Sequence, residues 1–182
     1  MERFKIDVDQ FSWIGGVRDD PDDLCLHGRV TVRFGEAVLE YFGTVSATAL
    51  YLLKTLTEDK VMRPEEIQMV PCCGFFLIAS EDLSSVSIIG CDDGLDWSTQ
   101  HEDGGVWMTL SDGSSVWVSL EEYKVQVLAF ADKVEAYYNA CQPKRIPKEE
   151  FDRNGYLAFW KEWHRRYAEA AARPAASDGD GE

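Results

Sequence analysis

The side chains best suited to catalysis are few in this sequence, and they stand in no catalytic motif. The chain has three histidines, His27, His101 and His164. No serine lies in the G-x-S-x-G pattern that presents a nucleophile on a sharp turn between a strand and a helix. None of the 14 glycines belongs to a Walker loop or a G-x-G-x-x-G fingerprint, so nothing predicts a phosphate cradle. We therefore predict a protein that is not an enzyme; a small hydrolase or transferase with an unrecognised site is the alternative.

Metal and redox chemistry have equally little support in the residue spacing. The five cysteines match no zinc signature: Cys25, Cys72, Cys73, Cys91 and Cys141. Their odd number, and the adjacency of Cys72 and Cys73, predict buried free thiols in a reducing compartment. The acidic turn at 92–96 lacks the spacing and the terminal glutamate of an EF-hand, so turn formation explains it better. We expect no metal and no cofactor.

Negative charge is the strongest feature of the composition. Thirty-three acidic residues against 18 basic ones give a net charge of −15. The first 143 residues hold 25 acidic and 10 basic side chains, whereas residues 144–173 hold five acidic and eight basic ones. Such a body repels nucleic acid and anionic lipid and attracts basic proteins. We predict a basic protein partner and no binding to nucleic acid or membrane; the plain alternative is that the acidity only keeps the protein soluble.

The ends of the chain suggest a cytoplasmic protein with one domain. Residues 1–5 lack the apolar stretch of a signal peptide, and no apolar run approaches the roughly 18 residues of a membrane span. We expect a single domain over residues 1–173, in a monomer or a homodimer. Residues 174–182 have no apolar anchor and are expected to be a disordered tail.

Alternating apolar residues predict an α+β fold built on an antiparallel β-meander that two or three helices pack against. Segments 4–8, 24–34 and 37–42 have the period of strands, and Gly35-Glu36 predicts a hairpin between the last two. Asp-Gly turns separate further short strands, at 75–78, 86–89, 95–99, 106–110 and 116–118. A single meander would place Asp92, Asp93 and Asp112 at one end of the sheet. Glu102 and Asp103 would lie at the other end, near Glu121.

Three helices are predicted from the apolar stripes and the capping residues. The first should run from Ser46 to about Glu58. Ser119 and Glu122 form a capping box ahead of a stripe with helical spacing: Tyr123, Val127, Phe130, Val134, Tyr137 and Cys141. The last helix, from about Lys148 to Arg173, is rich in aromatic residues and should be interrupted or kinked near Gly155.

The candidate contacts for a basic partner are the acidic residues of predicted loops and turns. They are Asp19, Asp20, Asp22, Asp23, Asp92, Asp93, Glu102, Asp103 and Asp112. Three tryptophans on successive strands, Trp97, Trp107 and Trp117, are either core residues or a surface binding patch. We favour the core, because Trp107 and Trp117 stand among apolar residues.

The stretch from about Val86 to Tyr138 carries a resemblance. A strand with a tryptophan leads to His101-Glu-Asp-Gly, a second hairpin, Ser-Leu-Glu-Glu-Tyr, and a helix with Phe130-Ala-Asp. In layout and charge this resembles the small acidic α+β immunity proteins of bacterial toxin–immunity systems. The resemblance implies a protein that binds and inhibits a toxin and has no catalytic residues of its own.

The aromatic last helix supports a different hypothesis. Tyr156, Trp160, Trp163 and Tyr167 follow one another at helical steps, so they would share one face. As a surface, that face would make the chain an assembly or scaffold protein. The basic residues beside it, Lys161, Arg165 and Arg166, are better explained by packing against the acidic body than by nucleic acid.

Overall fold

The computed structural model describes residues 3–16, 19–63, 66–74 and 76–172. They form an α+β fold, as the sequence predicts. The elements in chain order are β1 (Phe4–Trp13), β2 (Leu26–Phe34), β3 (Ala37–Thr44), α1 (Val45–Lys54), β4 (Val70–Pro71), β5 (Phe76–Ala79), β6 (Val86–Ile89), β7 (Gly94–Leu95), β8 (Ser98–Glu102), β9 (Gly105–Thr109), β10 (Ser115–Ser119), α2 (Leu120–Ala140) and α3 (Glu150–Ala172). The expected tail at 174–182 lies outside the described residues, as do Phe75 and Arg173.

The first three strands form an antiparallel sheet in the order β1-β2-β3. Phe4, Ile6 and Val8 are buried and alternate with exposed residues, because successive side chains of a strand point to opposite faces. The predicted hairpin between β2 and β3 is confirmed. Its turn begins at Gly35, whose φ of 60° lies in the left-handed region that glycine adopts without steric cost.

The strands of the middle segment do not form the single meander that the Asp-Gly turns predict. Strands β8, β9 and β10 form a three-stranded antiparallel sheet, whereas β5 and β6 form a separate hairpin. Between them, β7 pairs with β4, so that Leu95 lies opposite Val70. At Gly94 a Cβ would lie 2.5 Å from the Val70 carbonyl oxygen, so only glycine permits this pairing. Asp92 and Asp93 therefore precede a strand of the β4–β7 sheet, whereas Asp112 lies between β9 and β10 of another sheet.

Helix α1 is shorter than predicted and is surrounded by the other helices. It ends at Lys54 rather than near Glu58, and the chain continues in hydrogen-bonded turns. Eight of its ten residues are buried, and the helix contacts α2, α3, β2 and β4. Its apolar residues are therefore the centre of the core rather than one face of a surface helix.

The capping box of α2 is confirmed. The backbone N–H of Glu122 donates to the Ser119 hydroxyl at 3.2 Å, and the Ser119 N–H donates to the Glu122 carboxylate at 3.3 Å. The buried stripe continues from Val134 to Tyr138, not to Tyr137 and Cys141 as predicted. A step of four residues is as compatible with the 3.6-residue period as a step of three.

Helix α3 is continuous through Gly155, so the predicted interruption there is wrong. Gly155 is buried against β5, and a Cβ on it would overlap the backbone carbonyl of Leu77. The missing side chain lets the helix and the strand approach closely. The glycine is therefore a packing residue rather than a break.

A buried carboxylate joins α3 to the rest of the molecule. Glu162 is completely buried and accepts hydrogen bonds from the Val86 N–H and from Arg166 Nε, both at 2.8 Å. Lys54 Nζ lies 3.4 Å from the same carboxylate. One side chain thus connects α3 with α1 and β6, and its charge is balanced within the protein.

We expect Glu162→Gln to lower the free energy of unfolding by about 3 kcal/mol, the lower end for breaking a buried ion pair. Arg166 would keep its bond to Glu58, which limits the loss. Urea denaturation of both proteins measures the difference. The matched control is Glu169→Gln, which removes an exposed pair with Arg165 and should cost less than about 0.5 kcal/mol. Equal effects of the two substitutions would contradict the role given to Glu162.

We expect Gly155→Ala to destabilise the protein, against the intrinsic preference of helices. In an open helix this substitution stabilises by roughly 0.5 to 1 kcal/mol. Here the added methyl group would overlap the Leu77 carbonyl, and overpacking of this kind costs about 1 to 3 kcal/mol. The sign of the change in urea denaturation decides the matter, since a more stable variant would mean that α3 does not approach β5 this closely.

Candidate functional site

The outer face of the β8–β10 sheet carries a pair of tryptophans. Trp107 and Trp117 lie directly opposite each other on β9 and β10. Trp107 is 37% exposed, and Trp117 is partly exposed. The prediction that both belong to the core is wrong, because the apolar neighbours Val106 and Val118 point to the opposite, buried face. Of the three tryptophans at ten-residue spacing, only Trp97 is a core residue.

A glycine and a hydrogen bond fix the position of the Trp117 ring. A Cβ on Gly105 would overlap the six-membered ring of Trp117, so the indole lies across β9 where no side chain intervenes. Its Nε1 donates to the backbone carbonyl of Glu102 at 3.3 Å. The ring is therefore held against the turn between β8 and β9, at the edge where the exposed acids lie.

Two exposed carboxylates, Glu102 and Asp103, lie at that turn. The Leu120 N–H donates to the Gly104 carbonyl at 3.1 Å, which brings the first turn of α2, with Glu121, next to them. This confirms the predicted neighbourhood of Glu102, Asp103 and Glu121. Glu121 forms an ion pair with Lys124. Glu102 and Asp103 form no ion pair with any residue that the structure describes.

We call Trp107, Trp117, Glu102 and Asp103 the tryptophan–acid face. Indole rings attract ammonium and guanidinium groups over their faces, and carboxylates bind the same groups through charge-assisted hydrogen bonds. Tryptophan is also enriched among the residues that dominate binding energy in protein interfaces. The arrangement is suited to binding Arg and Lys side chains.

The aspartates of the loop at 19–23, which the sequence offers as candidate contacts for a partner, have partners within the protein. Asp19 accepts the Gln142 N–H at 2.7 Å and lies 2.9 Å from Lys144 Nζ. Asp22 forms an ion pair with Arg145 at 3.0 Å. The basic segment after α2 therefore pairs with two of the four aspartates of this loop.

Backbone groups use the other two aspartates of the same loop. Asp23 accepts the N–H groups of Gly15 and Cys25, at 2.7 and 3.1 Å. Asp20 accepts the Asp22 N–H at 2.9 Å. These are the local hydrogen bonds by which aspartate stabilises turns.

The remaining predicted contacts do not join the tryptophan–acid face. The Ser114 hydroxyl and N–H hold the pKa of Asp112 below its usual value. This carboxylate therefore stabilises the turn in which it lies. Asp92 and Asp93 are exposed but precede β7, which belongs to a different sheet.

The aromatic face of α3 points into the protein. Trp163 is completely buried, and its Nε1 donates to Glu135 at 3.2 Å. Trp160 packs edge-on against Tyr138 with ring centroids 5.0 Å apart. The prediction that Trp163 belongs to a surface interface is therefore wrong, while Tyr156, Trp160 and Tyr167 are partly buried.

The histidines have structural partners. His27 is buried and contacts the backbone carbonyls of Cys25 and Cys72 through its two ring nitrogens. His101 Nδ1 pairs with Asp59 at 2.8 Å, and its buried Nε2 has no hydrogen-bond partner among the described residues. No nucleophile is thus linked to this His–Asp pair there.

A cluster of three cysteines is a feature that the sequence does not predict. The Sγ atoms of Cys72, Cys73 and Cys91 all lie within 4.8 Å of one another. The prediction of buried thiols holds only for Cys73, since Cys91 is exposed and the other three cysteines are partly exposed. The thiols of Cys72 and Cys73 donate to the Cys91 sulfur and lower its pKa. The chain spacing of 18 residues hides the cluster, because the two segments come together only through the strand pairings on either side of it, β4 with β7 and β5 with β6.

We expect Asp19→Asn to lower the melting temperature and to reduce its dependence on pH. The Gln142 N–H and the Lys144 ammonium hold the pKa of Asp19 below its usual 3.8. A carboxylate with a lowered pKa in the folded state stabilises the protein above its unfolded pKa, and this contribution is lost as the pH falls through the folded value. The difference between wild type and variant should therefore shrink in thermal melts taken below pH 3.8.

The control for that experiment is Asp22→Asn, which removes a pair whose two side chains are both more than 60% exposed. Exposed pairs contribute little, so this variant should melt almost as the wild type does. A constant difference between wild type and Asp19→Asn at every pH would argue against the ion pair with Lys144.

Three comparisons bear on the identity of this fold and site. No family model matches the chain. The search of curated proteins finds no significant match, and neither does the search of solved structures. Among the described residues, no helix is both long and apolar enough to cross a lipid bilayer.

Proposed function

We propose that this chain is a non-enzymatic binding protein that docks a basic protein partner on the tryptophan–acid face. The observation that supports the proposal most directly is that exposed Trp107 and partly exposed Trp117 share a face with two exposed carboxylates, Glu102 and Asp103, which form no ion pair with a described residue. In the loop at 19–23, by contrast, the protein supplies Lys144 and Arg145 itself.

Both affinity and speed of binding would come from this arrangement. A guanidinium over an indole contributes about 0.5 to 1 kcal/mol when exposed and about 2 kcal/mol when desolvated. Carboxylates at the rim add orientation and suppress partners of the wrong charge. The net charge of −15 would steer a basic partner toward the surface from a distance and raise the association rate.

The more specific form of the proposal is inhibition of a basic toxin, in the manner of an immunity protein. Toxins that act on nucleic acids carry positive charge, because their substrate is a polyanion. An acidic inhibitor is drawn to the same surface that binds the substrate and can cover it. The resemblance of residues 86–138 to immunity proteins in layout and charge supports this form.

The test is affinity capture from the native lysate at low salt, with two baits compared side by side. The wild-type chain should retain a basic protein that elutes as the salt concentration rises, because salt screens charge attraction. A bait carrying Trp107→Ala and Glu102→Gln should lose that protein. The control bait is Asp22→Asn, which removes a charge already paired with Arg145 and should capture as the wild type does.

Two results would overturn parts of the proposal separately. Capture that is unchanged by the double substitution, or indifferent to salt, would remove the tryptophan–acid face as the binding site. If the partner binds there but keeps its full enzymatic activity in a stoichiometric mixture, the binding function stands and toxin inhibition is wrong.

A further inference from the structure

The cysteine cluster lies where two segments meet at the end of the β4–β7 ribbon. Cys72 and Cys73 directly follow β4, and Cys91 lies between β6 and β7. The sulfurs of Cys73 and Cys91 are 3.2 Å apart. Each of the three sulfurs lies within 4.8 Å of the other two. They form one compact group of three soft ligand atoms.

A backbone hydrogen bond, a bond to a cysteine sulfur and one close backbone approach hold the two segments together. The Cys72 N–H donates to the Asp93 carbonyl at 2.9 Å, and the Cys91 N–H donates to the Cys73 sulfur at 3.2 Å. A Cβ on Gly90 would overlap the Cys73 carbonyl, so only glycine allows this approach. The backbone positions of the cysteines are therefore set by the fold before any ligand binds.

Further contacts fix the carbonyl of Cys72 from the other side. It lies 3.2 Å from His27 Nε2 and accepts the Thr44 hydroxyl at 3.4 Å. His27 and Thr44 are both buried, and they come from β2 and β3. The Cys72–Cys73 segment is thus anchored to the first sheet. Cys91, the third member of the cluster, is exposed.

We propose that Cys72, Cys73 and Cys91 bind one thiophilic cation, Zn²⁺ or Cu⁺, through three thiolates. Thiolates are the ligands that select these ions. With metal–sulfur bonds of about 2.3 Å, the sulfurs of one site stand roughly 3.8 Å apart. The separations in the cluster, from 3.2 Å up to at most 4.8 Å, bracket that value, so rotation of the side chains suffices.

The surroundings favour a cation and leave the site open. Asp92 and Asp93 are exposed beside Cys91, and the body of the protein is negative, which raises the local concentration of cations. Three protein ligands leave the fourth position of a tetrahedral ion to water, as in zinc sites that exchange ligands. This site is separate from the tryptophan–acid face, so either proposal can fail without the other.

The experiment is titration of the reduced full-length chain with Co²⁺ under anaerobic conditions, followed by displacement with Zn²⁺. Co²⁺ bound by thiolates absorbs through sulfur-to-metal charge transfer, which exposed carboxylates do not produce. We expect saturation at one ion per chain, loss of the band on adding Zn²⁺, and one bound zinc ion in native mass spectrometry. A parallel titration with Cu⁺ tells which of the two ions binds more tightly.

Substitutions then assign the ligands. Cys91→Ser changes an exposed residue, so the protein should fold normally by circular dichroism and lose the charge-transfer band. Cys141→Ser is the matched control, since this thiol lies outside the cluster, and it should bind as the wild type does. Absence of the band in the reduced wild type would overturn the proposal. Uptake that survives Cys91→Ser, or that is lost with Cys141→Ser, would also overturn it.

Discussion

The burial of the Glu162 carboxylate is the constraint on which the arrangement of the helices depends. A charge that is fully removed from water must be met by donors in fixed positions. Here they come from three elements, as the Val86 N–H, Lys54 and Arg166. These contacts therefore fix the rotation of helix α3 about its axis and its position along that axis relative to α1 and β6. That position turns its aromatic residues inward and brings Gly155 against β5.

The distribution of charge follows from the same packing. Three basic residues of the α2–α3 connection and of α3 form ion pairs within the molecule: Lys144 with Asp19, Arg145 with Asp22, and Arg166 with Glu58 and Glu162. The formal charge of −15 is thus not spread evenly among available carboxylates. Glu102 and Asp103 form no ion pair with any described residue, and they lie beside the partly exposed Trp117 indole. Net charge describes the field at a distance, whereas the internal ion pairs decide where a partner can make contact.

Much of the fold could be predicted from local patterns. The β2–β3 hairpin, the capping box at Ser119 and the third helix each depend on residues within a few positions of one another. Long-range choices could not be predicted. Alternation along β9 places Trp107 and Val106 on opposite faces of the sheet. The pattern does not show which of the two faces packs against the core. Gly155 inside a helical pattern leads to the wrong prediction of a break. The sequence does not show that the backbone of β5 packs against this position and requires a glycine there.

The clasp formed by Asp19 and Lys144 has a consequence for how the protein comes apart. The two residues are 125 positions apart, and Lys144 Nζ also lies 3.4 Å from the centre of the Trp13 ring, with its side chain only 2% exposed. The loop after β1 cannot swing outward while the connection after α2 stays in place. Local unfolding of the loop after β1 therefore requires local unfolding of the connection after α2. Amide hydrogens in both segments should exchange with solvent as one cooperative unit.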